Sequence, residues 1–218
     1  MSNAAEYAPG ETQVWDRFVR VGHWTLVAAF FIAYVTEDDF LTLHTWAGYV
    51  AFAYVVARVA WGFVGTRHAR FSDFVCGPRA AARYLADLAL MRSRRHRGHS
   101  PAGAWMVFML LAAIAATTIS GELLLGAKEH KGPLAGLFAA SAPAGPAPAA
   151  TARATPQKAR ALRAERRKQW NIYEEVHELL ANLTLALVIG HVLGVLLAPY
   201  AHRENLVRAM IDGRKRID

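Results

Sequence analysis

Four histidines, His23, His44, His177 and His191, lie inside or at the ends of long apolar stretches of this 218-residue chain. An ionisable side chain is costly in hydrocarbon, so each is a candidate functional residue. His177 and His191 are the informative pair. Fourteen residues apart in the sequence, they are close to four helical turns apart, which puts both rings on nearly one face of a helix and about 21 Å apart along it. One helix would then offer a nitrogen ligand near each surface of a bilayer. A single membrane histidine serves as well by hydrogen-bonding a neighbouring helix, so the chemistry depends on what the other two histidines face.

The elements that must position them are readable from hydropathy. Apolar residues make up 54% of the chain and are gathered in blocks, which suggests a membrane rather than a soluble core. Four stretches, at about 19–36, 40–65, 102–125 and 175–199, approach the roughly 20 residues a helix needs to cross the hydrocarbon. The fold expected is therefore all-α, an integral membrane four-helix bundle. The first stretch lacks a small-residue cleavage pattern and is followed at once by another, so it reads as an anchor rather than a signal peptide. Lys and Arg set the orientation. The first loop carries only Glu37, Asp38 and Asp39, whereas the second carries eight arginines between Arg67 and Arg97 and the tail adds Arg203, Arg208, Arg214, Lys215 and Arg216. Both termini are expected to be cytoplasmic. The segment Arg153 to Lys168 holds seven positive charges on the opposite side, but long loops obey the charge rule weakly.

With that topology the histidines pair by depth. The first and second helices run in opposite directions, and the fourth runs inward like the second. His23 then matches His191 near the inner surface, and His44 matches His177 near the outer one. Four histidines paired in this way point to two centres, each held by two imidazoles. Two bis-imidazole haems form a transmembrane electron path, since six-coordinate iron between neutral imidazoles changes oxidation state with little rearrangement and keeps no open position for substrate. Another metal would want three or more ligands at one depth, often with carboxylates. The single cysteine, Cys76, allows no disulfide and no Cys-x-x-Cys-His attachment, so the haems, two haem b, would be held non-covalently.

Arg58, fourteen residues after His44, shares its face. It would reach either a haem propionate, which a guanidinium binds in bidentate fashion, or the inner headgroups. Gly22, Gly48, Gly190 and Gly194 lie near the histidines, where they would admit a flat macrocycle or let helices approach. Trp24, Trp46, Trp61, Trp105 and Trp170 sit near span ends as interfacial anchors. The net charge of +8 belongs to topology and lipid contact; basic residues scattered over both faces without an aromatic-laced surface argue against nucleic acid. Residues 1–14 are expected to be a loose tail. The run Phe71 to Met91 reads as a surface helix starting at Pro78. An external insertion at about 127–169 opens with an Ala/Pro/Gly-rich tether and continues as a basic stretch, Gln157 to Trp170, read as a solvated charge run or a short docking helix.

Over most of residues 14–125 and 170–213 the chain resembles the prokaryotic cytochrome b561 family, which includes b-type subunits of nickel-iron hydrogenases. The resemblance rests on Val14-Trp15-Asp16-Arg17 running to His23-Trp24, on His44-Thr45-Trp46-Ala47-Gly48, on Arg58-Val59-Ala60-Trp61-Gly62-Phe63 with Ala69-Arg70-Phe71, on Gly98-His99-Ser100-Pro101-Ala102-Gly103, and on Val176-His177-Glu178 with Gly190-His191. It implies that His23, His44, His177 and His191 ligate the haems. The third motif usually reads Gly-His-Asn-Pro and carries Ser100 here; through it the resemblance implies a propionate or quinone role for His99. The implied function is electron transfer between the quinone pool and a periplasmic redox partner, a c-type cytochrome or a dehydrogenase subunit, in a bacterial cytoplasmic membrane. Two alternatives stand beside it. One is oxidation of superoxide coupled to quinone reduction, an activity known in the family, with the Arg153 to Lys168 charges steering the anion. The other is a membrane anchor and electron-transfer subunit of a hydrogenase or dehydrogenase complex. A transporter has little support, because the spans lack paired half-repeats and discontinuous helices.

Overall fold

The computed structural model of the protein describes residues 11–37, 39–90, 92, 96, 98–139, 156–202 and 205–216. Residues 1–10 of the expected loose tail, the arginines at 94, 95 and 97, and residues 140–155 of the tether lie outside them.

Helices dominate. In chain order they are α1 (Arg17–Val35), α2 (Leu41–Val64), a single 3-10 turn (Phe71–Asp73), α3 (Pro78–Ala89), α4 (Pro101–Glu129), α5 (Ala135–Ala139), α6 (Pro156–His202) and α7 (Leu206–Asp212). Four of them are long and apolar enough to cross a membrane: α1, α2, α4 and the Trp170–Leu197 part of α6. Their large apolar side chains face outward. Phe31, Val35, Val50, Val56, Leu179, Leu183, Leu193 and Leu196 are all exposed, a surface that water would not tolerate and lipid requires. The protein is an all-α membrane bundle.

The described residues divide into two compact units, residues 1–114 with 185–218 and residues 115–184. In the first, α1 and α2 form an antiparallel hairpin. α2 buries Ala47, Ala51, Val55, Arg58 and Gly62, a helical stripe of mostly small residues that lets the helices approach. Asp16 caps α1 by accepting from the Val19 N–H at 2.8 Å, which satisfies one of the donors that a helix start leaves open. A small core of Val14, Trp15, Val19, Ala69 and Ala209 closes the end of this unit.

The tail and the fourth span differ from expectation. The strand β1 (Glu11–Gln13) pairs antiparallel with β2 (Arg214–Arg216), and Val14 and Trp15 are buried, so the last residues of the tail are fixed. Gly213 makes the pairing possible. It ends α7 in the left-handed region with φ 85°, where a side chain is strained, and its carbonyl accepts from the N–H groups of Val14 and Trp15 at 2.8 and 3.2 Å. Residues 11–13 and 214–216 therefore lie on one side of the membrane. The basic stretch ahead of the fourth span is no separate element: α6 runs unbroken from Pro156 to His202. The surface element after the second span is a 3-10 turn and then α3, separated before Gly77 and Pro78 because proline lacks the N–H that a continuing helix needs.

Candidate functional site

In the first unit, α1 and α6 bring His23 and His191 face to face. Their ring centroids are 6.3 Å apart with the planes inclined at 56°. An imidazole nitrogen lies roughly 2 Å from a transition metal it ligates, so two rings on opposite sides of one metal have centroids roughly 6 Å apart. The Nδ1 of His23 is buried with no hydrogen-bond partner, a cost that a membrane interior does not relieve. Trp24 stands edge-on to the His23 ring at 5.3 Å. A Cβ on Gly22 would run into the ring of Tyr54, so this glycine serves the α1–α2 packing. Gly48 and Gly194 differ: a Cβ there would meet nothing within 4 Å, leaving room beside His44 and His191.

His44 and His177 are held by another device. His44 Nδ1 is 2.8 Å from the Ala33 carbonyl on α1. A carbonyl only accepts, so the proton sits on Nδ1 and the lone pair on Nε2, the nitrogen a metal would take. In the second unit His177 Nδ1 is 3.0 Å from the Thr117 carbonyl on α4 and 3.0 Å from Ser120 Oγ, which places the proton in the same way. Gly121 allows the contact, because a Cβ there would come within 2.9 Å of His177 Cε1. Nearby, Thr117 and Thr184 join hydroxyls at 2.9 Å, and Thr184 is almost fully buried.

Arg58 is buried, with a relative exposure of 5%. Its Nη2 donates to the Ala69 carbonyl at 3.1 Å and the guanidinium lies 5.3 Å from the centre of the Phe71 ring. Nη1 is buried and unpartnered. His99 is enclosed by Trp15, edge-on at 4.6 Å, and by Phe74 at 4.2 Å. Burial drives its pKa down to about 3, helped by the positive charges of Arg58, Lys215 and His68, so the ring is neutral. Ser100, the departure in the third motif, starts α4: its Oγ accepts from the Gly103 N–H at 3.2 Å. Serine and asparagine are equally good in that position.

Asp16 stands in the first motif without a role assigned to it, and Ala33, Thr117, Ser120, Gly121 and Glu122 were not singled out from the sequence. Asp16 takes hydrogen bonds from Val19 N–H, Trp61 Nε1 at 2.9 Å and the Thr66 hydroxyl. Burial raises its pKa, yet these three donors and the Arg58 charge together hold it below the usual carboxylate value. Glu122, a half-buried carboxylate in the third span, carries the signal that singled out the histidines, an ionisable group in an apolar stretch. Ala33 and Thr117 act through backbone carbonyls, for which a sequence gives no sign.

Among the described residues no three His, Cys, Asp or Glu side chains gather into a metal cluster. A haem needs only two imidazole nitrogens, and the residues present fit it: an imidazole pair facing at 6.3 Å, and two further imidazoles whose Nδ1 protons are fixed by carbonyls. The family model of prokaryotic cytochrome b561 matches residues 14–213. No curated protein and no solved structure matches the chain.

Proposed function

From the chain's membership of the prokaryotic cytochrome b561 family, which makes it a haem-binding transmembrane b-type cytochrome of electron transfer, we propose that it is a dihaem carrier between the quinone pool and a periplasmic redox partner. His23 and His191 hold one haem b, and His44 and His177 hold the other. The observation that carries this reading is the facing pair of His23 and His191 at 6.3 Å. The second pairing rests on the sequence, which sets His44 near the start of the second span and His177 near the start of the fourth, two spans expected to run the same way.

When bound, each haem supplies a one-electron ferric/ferrous couple. The chain's own residues do the rest. The four imidazoles would hold the haems, two to each, and leave no ligand position for water or dioxygen. The Ala33 and Thr117 carbonyls hold the protons of His44 and His177 on Nδ1, so Nε2 is presented as a ligand without a proton having to leave. Arg58, with Nη1 unpartnered, pairs with a propionate of the His23/His191 haem. His99, neutral beside Trp15 and Phe74, faces a propionate or a quinone at the same end. Both termini are cytoplasmic, and the outer pair faces a c-type cytochrome or a dehydrogenase subunit in the periplasm.

Haem content and reduced-minus-oxidised spectra of the purified protein test this. Each single His→Ala variant at positions 23, 44, 177 and 191 is expected to lose half the haem. The signal that survives should be the same for His23→Ala and His191→Ala, and should be the other one for His44→Ala and His177→Ala. Unchanged haem in all four variants, or His23→Ala behaving like His44→Ala, overturns the assignment.

A further inference from the structure

Around His177 the second unit holds three linked hydrogen bonds. Ser120 Oγ donates its hydrogen to the Thr117 carbonyl at 2.8 Å. Its hydrogen being committed there, the same oxygen can only accept from His177 Nδ1–H at 3.0 Å. The Thr117 carbonyl accepts from that Nδ1–H as well, also at 3.0 Å. One imidazole proton is therefore shared between two acceptors, and the acceptors are themselves linked. Ser120 is buried, with 6% exposure, and sits beside Gly121, whose missing side chain lets the ring come close.

We propose that Ser120 is a positioning residue that sets, through His177, the reduction potential of the haem His177 ligates. The inference rests on His177 being an axial ligand. A second acceptor on Nδ1–H gives the ring more electron density to donate through Nε2, which favours the ferric state. The link from Ser120 to Thr117 polarises the hydroxyl and makes its oxygen a better acceptor than an isolated serine would be. Loss of the hydroxyl takes one acceptor from the proton and frees the ring to turn toward Thr117. Both changes weaken donation to the iron, so the potential of that haem rises. His23, whose Nδ1 has no hydrogen-bond partner, lacks this control, so the effect should fall on one haem of the two.

Redox titration of the purified holoprotein, with electron paramagnetic resonance of the oxidised state, reads the effect. Ser120→Ala should keep both haems and move one potential upward by up to about tenfold in the reduction equilibrium, 59 mV for one electron, with a change in the low-spin signal of that haem alone. Ser120→Thr, which keeps the hydroxyl, should restore the native potential. Thr184→Val removes the Thr117–Thr184 hydroxyl contact without touching Nδ1 and should leave both potentials where they are. If Ser120→Ala sheds that haem, Ser120→Cys, which keeps a weaker acceptor, supplies the titration. Potentials unmoved in Ser120→Ala, or both moved equally, overturn the proposal. Retention of both haems by His177→Ala would instead overturn the ligand assignment on which it stands.

Discussion

The facing pair of His23 and His191 and the carbonyl-bound His44 and His177 show two ways for a membrane helix to present an imidazole. His23 has a buried Nδ1 without a partner and takes its position from the helix that carries it and from ring contacts with Trp24 and His191. His44 and His177 are tied to carbonyls of neighbouring helices, which fix both ring rotation and proton position. The first arrangement leaves orientation to be completed by whatever lies between the rings. The second completes it beforehand, so less side-chain freedom is lost on binding. The same residue type is thereby held with different rigidity in the two arrangements.

The sharpest way to break this difference is to remove the closeness that permits the His177 contacts. Gly121→Val puts a branched side chain where even a Cβ comes within 2.9 Å of the ring. The ring must turn away from Thr117 and Ser120, and we expect loss of most of one haem while the His23/His191 haem keeps its spectrum. Haem content and spectra measure it; two intact haems in the variant would mean that the approach at Gly121 does not govern the site.

The membrane histidines were legible as ionisable groups in apolar runs, and the same physics explains the gaps. The spans are long apolar runs, and α1, α2, α4 and the Trp170–Leu197 part of α6 are long and apolar enough to cross a membrane. Spacing and helix direction led to the expectation that His23 and His191 face each other, and their rings are 6.3 Å apart. What supports them was not legible. Ala33 and Thr117 contribute carbonyls, which every residue has, and Gly121 resembles any other glycine in a packed span. The pairing of residues 11–13 with 214–216 joins three-residue strands across the whole chain, too short for an alternating pattern to show. The stretch Gln157 to Trp170 attracted attention for its charge, yet its alanine, leucine, arginine, glutamate and glutamine are all strong helix formers, and propensity foretold the unbroken helix better than charge did.

His99 extends the comparison to a histidine outside the spans. It is held neutral by burial between Trp15 and Phe74 and by positive neighbours, with its pKa near 3, whereas in the unfolded chain it titrates near 6.5. A group whose folded pKa is depressed contributes stability in full above its unfolded value and loses it as pH falls, because only the unfolded chain then gains a proton. Stability should decline between pH 7 and pH 5 by about 1–2 kcal/mol from this residue. In His99→Phe, which keeps the aromatic contacts, that part of the decline should vanish. Melting curves of the two proteins across the range that stay parallel would sink the assignment.

The smallest expected effect concerns how His23 acquires a position without a carbonyl of its own. Asp16 caps α1 and ties its first turn to Trp61 and Thr66, and His23 lies seven residues further on, two turns along the same face. Asp16→Ala should cost about 1 kcal/mol of stability and broaden the low-spin signal of the His23/His191 haem. The haem at His177, held by its own hydrogen bonds, should be untouched. The carboxylate's pKa is held below normal by its donors, so its contribution is present above pH ~4 and is lost as pH falls through the folded value. The difference between Asp16→Ala and the native protein should shrink in that acid range. Equal broadening of both haem signals would show that α1 registers the whole bundle and that the two ways of holding a histidine are not independent.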